Sequence, residues 1–105
     1  MIMDDSSAER LRDLVAEATV DACDEEEQLM GLHNMLEEEL VLPFTTQVLG
    51  LDVRVEEVTL RAGGGVVALC RHGKHEQAIG ILDLPLPEPR PEGSEWIEAY
   101  RYWAR

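Results

Sequence analysis

The spacing of the apolar residues changes at Pro43, and this change divides the chain into a helical part and an extended part. Before Pro43, apolar residues recur three and four positions apart, as they do in amphipathic helices. Two such stripes are present: Leu11, Leu14, Val15, Ala18 and Ala22, and then Leu29, Leu32, His33, Leu36 and Leu40. After Pro43, short apolar runs separated by glycine predict strands. The two patterns together predict an α+β fold.

The boundaries of the first two helices follow from capping and breaking residues. The first helix should fade near residues 21–23, and Asp24 should cap the second, with Glu27 completing a weaker capping box. Gly31 lowers the helix propensity by about 1 kcal/mol relative to alanine, so its presence indicates close packing. The second helix should end before Pro43, since the residue before a proline avoids helical backbone angles.

The remainder of the 105-residue chain reads as short strands and a last helix. Strands are predicted at 45–49, 53–60 (one or two, with a bulge at the Glu56–Glu57 pair), 66–71 and 76–82, with a flexible turn at 62–65. Ser94 should cap the last helix, up to about Ala104. We expect one domain with an acidic helical part (1–43), a β-barrel part (44–84), a proline-rich connection (85–93) and a C-terminal helix (94–105). The four to five antiparallel strands predict a small open barrel.

Negative charge is concentrated in the helical part of the chain. The chain carries 22 acidic and 9 basic residues, for a net charge of −13, and residues 1–45 alone hold 13 of the acidic and 2 of the basic residues. Phosphate backbones and anionic membranes are repelled by such a surface, whereas cations and basic proteins are attracted. The acidic first ten residues and a cysteine count of two favour the cytoplasm. We therefore expect neither nucleic-acid nor membrane binding.

Two runs of carboxylates stand out within the helical part. The first is Asp24, Glu25, Glu26 and Glu27, and the second is Glu37, Glu38 and Glu39. Calcium prefers six to eight oxygen ligands, which carboxylates supply. Eleven residues separate Glu26 from Glu37, which is about 16 Å along a helix, so two separate sites are more natural than one. The EF-hand pattern is absent, so a calcium site here would be of another kind.

Other groups of residues give weaker evidence for a function. Cys70, His72 and His75 supply three zinc-type ligands around a predicted hairpin turn, and a fourth would have to be Cys23 or His33. His33 on the apolar face of the second helix is more often a buried, hydrogen-bonded residue than a catalytic one. The aromatic set Trp96, Tyr100 and Trp103 is more often core than a ligand platform. No nucleophile motif, P-loop or dinucleotide fingerprint is present, and we expect no enzymatic activity.

Residues 25–44, EEEQLMGLHNMLEEELVLPF, resemble a segment of the cyanobacterial calcium-binding protein family (CcbP-type). The corresponding motifs are Glu27-Gln28, Gly31, Leu36-Glu37-Glu38, Leu40 and Leu42-Pro43-Phe44, followed by a short return strand at 77–81 and an aromatic helix at 99–103. This resemblance implies a small SH3-like β-barrel with helices packed on it and direct calcium binding through surface carboxylates. It points mainly to Glu38, with Glu37 next.

These observations together predict a bacterial, cytosolic calcium buffer or sensor. The metal ligands would come from Glu38, Glu37, Asp24, Glu25, Glu26 and Glu27. The alternative is an acidic module that docks a basic partner or mimics DNA. Such a module would show a steep salt dependence and no preference among divalent ions.

Overall fold

The computed structural model describes residues 5–105, so the first four residues of the predicted acidic helical part lie outside it. Within the described range the chain is α+β, with three α-helices and a four-stranded antiparallel sheet. The elements are α1 (Asp5–Ala18), α2 (Glu25–Glu39), β1 (Phe44–Val48), β2 (Leu51–Leu60), β3 (Val66–His72), β4 (His75–Gly80), a 3₁₀ turn (Ile81–Asp83) and α3 (Glu95–Ala104).

The start of α2 is built by its own acidic residues. Asp24 has extended backbone angles, and its Oδ1 accepts a hydrogen bond from the Glu27 N–H at 2.9 Å. Glu27 Oε1 in turn accepts a hydrogen bond from the Cys23 N–H at 2.7 Å. Both bonds satisfy donors near the helix start that have no partner inside the helix. The predicted cap is therefore confirmed.

Gly31 of α2 lies against the end of α1. A Cβ added at Gly31 would lie 2.1 Å from the carbonyl oxygen of Ala18. The close packing predicted at this glycine is therefore confirmed. Helix α1 ends at Ala18, the residue that makes this contact, and not near residues 21–23 as predicted. The chain turns there, and the Thr19 hydroxyl donates to the Val15 carbonyl oxygen.

The sheet is an open meander in the order β1-β2-β3-β4. The predicted bulge in β2 is present, because the register to β3 shifts between Val55 and Glu57. The extra residue changes the phase of the alternation, so that Val53 and Val55 before it and Val58 after it are all buried. β1 and β4 are edge strands, each paired with one neighbour among the described strands, so the sheet is open as predicted, while the predicted barrel character is not shown.

The core lies between the sheet and the helices α2 and α3. Its most deeply buried side chains are Leu32, Leu36, Val55, Val58, Ile81, Leu84 and Ile97. Trp96 and Tyr100 of α3 are also buried, as predicted for core residues, and the Tyr100 hydroxyl accepts a hydrogen bond from the Val66 N–H. The other helix, α1, packs on α3 and α2.

The segment that leads into the proline-rich connection is held by a side chain of α3. Arg101 of α3 donates to the carbonyl oxygens of Ile81 and Leu84. Ser94 precedes α3 as predicted, but its hydroxyl makes no capping hydrogen bond. Its backbone angles are already helical, whereas a capping serine needs an extended conformation to reach the following N–H groups. Across the described residues, we find no helix with the length and apolar character needed to span a membrane.

Candidate functional site

The two ends of α2 carry the acidic runs, and all seven carboxylates are exposed. At the start, Asp24 and Glu27 are engaged in the hydrogen bonds that begin the helix. Glu25 and Glu26 form no ion pair with any described side chain. Their negative charge lies at the end of the helix where the macrodipole is positive, which stabilises them by about 0.3–1 kcal/mol each. This run is therefore well explained by the local structure of α2.

The carboxylates at the end of α2 have no such compensation. Glu37, Glu38 and Glu39 lie in the last turn, which contains no basic residue. They face the negative end of the helix macrodipole, which is unfavourable for anions. The nearest cationic candidate in the described structure is His33, whose Nε2 lies 3.6 Å from Glu37 Oε2. This distance is too long for a hydrogen bond.

His33 differs from its predicted role. Its side chain is 12% exposed, and Nε2 is the buried side-chain nitrogen without a hydrogen-bond partner in the described part of the chain. The histidine is therefore largely buried, as predicted, but it is not fully hydrogen-bonded. Movement of the exposed Glu37 side chain by a few tenths of an ångström would bring its carboxylate within bonding distance.

In the sheet half, by contrast, acidic and basic side chains pair with each other. Glu56 lies 3.6 Å from the guanidinium of Arg54 and 3.2 Å from that of Arg71. Arg71 also lies 3.3 Å from Glu76. The segregation of charge seen in the sequence thus persists in the fold, because the arginines of the sheet are engaged near their own strands and not against α2.

A ready-made metal cage is not present among residues 5–105, since no three His, Cys, Asp or Glu side chains converge as metal ligands would. The candidate zinc ligands Cys70, His72 and His75 do not converge either. Cys70 is buried with its thiol near the Ala68 carbonyl oxygen, and His72 Nδ1 lies 2.9 Å from the Asp52 carbonyl oxygen. Burial raises the pKa of the Cys70 thiol, which disfavours the thiolate that binds metals.

A groove that sequence reasoning missed lies beside the start of α2. Its volume is about 600 Å³, and it is lined by α2, by the glycine loop at 63–65 and by Tyr100 and Trp103 of α3. Trp103 is partly buried, and its indole N–H donates to Gln28 Oε1 at 2.8 Å. The helical spacing of the aromatic residues was the signal in the sequence, but the groove needs three segments that are far apart in the chain.

Comparison with protein-family models, curated proteins and solved structures finds no match for this chain.

Proposed function

We propose that this protein is a non-catalytic calcium-binding protein whose principal site is the C-terminal end of α2. The observation that supports this proposal is the set of three exposed carboxylates, Glu37, Glu38 and Glu39, in a last helical turn without a basic residue. Repulsion among these carboxylates and with the helix dipole is relieved when a dication binds. The resemblance to a calcium-binding family independently points to Glu38 and Glu37.

The geometry favours weak binding. A high-affinity calcium site holds most of its six to eight oxygens in place before the ion arrives. Here the carboxylates lie on an exposed helix and must be gathered by the ion, with water completing the coordination. We expect a dissociation constant of roughly 10⁻⁴–10⁻³ M, which is typical of the weaker calcium sites in proteins. With such an affinity the protein would respond only to large changes in calcium concentration.

The start of α2 is a poorer site in this proposal. Asp24, Glu25, Glu26 and Glu27 supply the same chemistry, but Asp24 and Glu27 already accept hydrogen bonds from the backbone. A calcium ion there would compete with the capping interactions and would be repelled by the positive end of the helix dipole. We therefore assign these four residues a secondary and weaker role in calcium binding.

The test is thermal melting of the metal-stripped protein, titrated with calcium and separately with magnesium at constant ionic strength. Binding to the folded state raises stability by RT ln(1 + [Ca]/Kd), so the melting temperature should rise across the millimolar range with calcium and much less with magnesium. The double substitution Glu37→Gln and Glu38→Gln should remove most of this rise.

The matched control is Glu25→Gln with Glu26→Gln, which removes the same charge from exposed positions of the same helix. This control should retain most of the calcium response. Equal responses to the two ions, or equal losses in the two double variants, would mean that calcium only screens the acidic surface. Either result would refute a selective site at the end of α2.

The proposed location of the protein is the cytosol of a bacterium, and the proposed fold is SH3-like. Cys23 and Cys70 are both free thiols, which suits the reducing cytosol of a bacterium. The bulged β2 pairs with both β1 and β3, and we regard this meander as an SH3-like arrangement that stays open.

The second candidate function is an acidic module that docks a basic protein. The groove beside α2 favours it, because Glu25 and Glu26 line this depression together with apolar and aromatic side chains. DNA mimicry is less well supported, since the acidic residues cluster at the two ends of α2 and do not follow one extended face.

A further inference from the structure

The groove combines an apolar floor with an acidic edge. Leu29 and Met30 of α2 and Trp103 of α3 contribute apolar surface, while Glu25 and Glu26 lie at the start of α2 above it. Met30 is 47% exposed, although it lies on the same helix as leucines of the core. Exposed methionine is frequent at surfaces that accept varied apolar side chains, because its flexible thioether adapts to different shapes.

Another part of the groove lining is a loop almost without side chains. Gly63, Gly64 and Gly65 have φ angles of 93°, 108° and 95°, which side-chain-bearing residues rarely adopt. A Cβ at Gly63 or Gly64 would meet no atom within 4 Å, so neither glycine is required by packing. The loop instead leaves one side of the groove open to the backbone of a bound chain.

The charges at the edge select the ligand. Glu25 and Glu26 have no ion-pair partner in the described structure and belong to the half of the chain with most of the negative charge. Arg61 lies at the side of the groove formed by the glycine loop, and its cation would favour a ligand carbonyl there over a second positive group. The groove is thus complementary to a segment with a positive side chain next to a large apolar one.

We propose that this groove docks a short segment of a partner protein in which arginine or lysine adjoins a bulky apolar residue. The apolar side chain lies on Leu29, Met30 and Trp103, and the cation pairs with Glu25 or Glu26. This inference rests on the second candidate function and is independent of calcium at Glu37 and Glu38. The volume of about 600 Å³ falls in the range of natural ligand sites and accommodates such side chains.

The test uses the blocked peptide Gly-Arg-Phe-Arg-Gly, added to the ¹⁵N-labelled protein in EDTA so that divalent cations play no part. We expect saturable NMR shifts centred on Met30, the glycine loop and the Trp103 indole. The same peptide with glycine in place of phenylalanine should bind at least about tenfold more weakly, since the apolar anchor is lost. The peptide with glutamate in place of arginine should not bind.

Met30→Lys places a cation in the groove and should weaken binding by at least about tenfold. Val20→Lys is the matched control, because Val20 is exposed, lies outside the groove and receives the same charge. The control should change affinity by less than about twofold. Equal effects of the two variants, with binding retained, would refute the groove and leave a diffuse acidic surface as the docking site. No binding of the arginine-phenylalanine peptide would refute the groove as the docking site, whereas the second candidate function fails only if a basic protein also does not bind the acidic surface at low salt.

Discussion

Replacing Gly31 with alanine sets two opposing effects against each other at a single position. Alanine is the better helix former by about 0.8–1 kcal/mol, so helix propensity alone predicts that the substitution raises the free energy of unfolding. The structure places the new Cβ 2.1 Å from the carbonyl oxygen of Ala18, and real Cβ contacts essentially never fall below 3.0 Å. The neighbour is backbone, which cannot rotate away as a flexible side chain would.

The steric effect should dominate. Relieving the contact requires α1 and α2 to separate by almost 1 Å at this point, and overpacking of this kind costs about 1–3 kcal/mol. Because the obstructing atom is backbone, we expect a value at the upper end, about 2–3 kcal/mol, and a net loss of about 1–2 kcal/mol after the propensity gain. The melting temperature should fall by roughly 5–15 °C.

The assay is urea unfolding monitored by the fluorescence of the two tryptophans, supported by thermal melting. Asn34→Ala is the control, because Asn34 is exposed on the same helix and the change raises helix propensity without a clash. We expect this control to be neutral or slightly stabilising. If Gly31→Ala were as stable as the unmodified protein, the close approach of Ala18 to α2 would be refuted.

Two further predictions concern the helix cap and the buried thiol. Asp24→Ala should lower the free energy of unfolding by about 1 kcal/mol through loss of the cap. The control Asp13→Ala removes the same charge from an exposed site in α1 and should change the free energy of unfolding by less than about 0.5 kcal/mol. Equal effects of the two variants would contradict the capping role. Cys23 should react at once with a thiol reagent and Cys70 slowly. Because burial raises the pKa of Cys70 above its ordinary value of 9.0, its contribution to stability is present below that pH and is lost as the pH rises beyond it, when the unfolded thiol ionises. In Cys70→Ala this part of the alkaline destabilisation should be absent.

The elements of this fold were largely predictable because their signals are local. The cap at Asp24, the bulge in β2 and the short turn between β3 and β4 each depend on a few neighbouring residues. Two predictions failed, at the end of α1 and at the Ser94 cap. The end of α1 coincides with the contact between Ala18 and Gly31, and the Ser94 side chain does not cap because its backbone is already helical.

The candidate sites also combine features visible in the sequence with features that only the packing of distant segments creates. The two acidic runs are visible in the sequence, but their different surroundings are not. The capping role of Asp24 and Glu27 was predictable, but only the structure shows that Glu37 lies near His33, whose Nε2 has no hydrogen-bond partner among the described residues. The groove could not be predicted, because Met30, the glycine loop and Trp103 come together only through packing of α2 and α3.

The sequence by itself determined the α+β class, the order of the elements and the concentration of charge in the helical part. Apolar spacing, caps and turn residues act over a few positions, and net charge is a property of composition. The tertiary structure alone decided that α1 ends at Ala18 and that a groove forms beside Met30. These features arise from contacts between segments distant in the chain, whose geometry depends on how whole helices and strands pack.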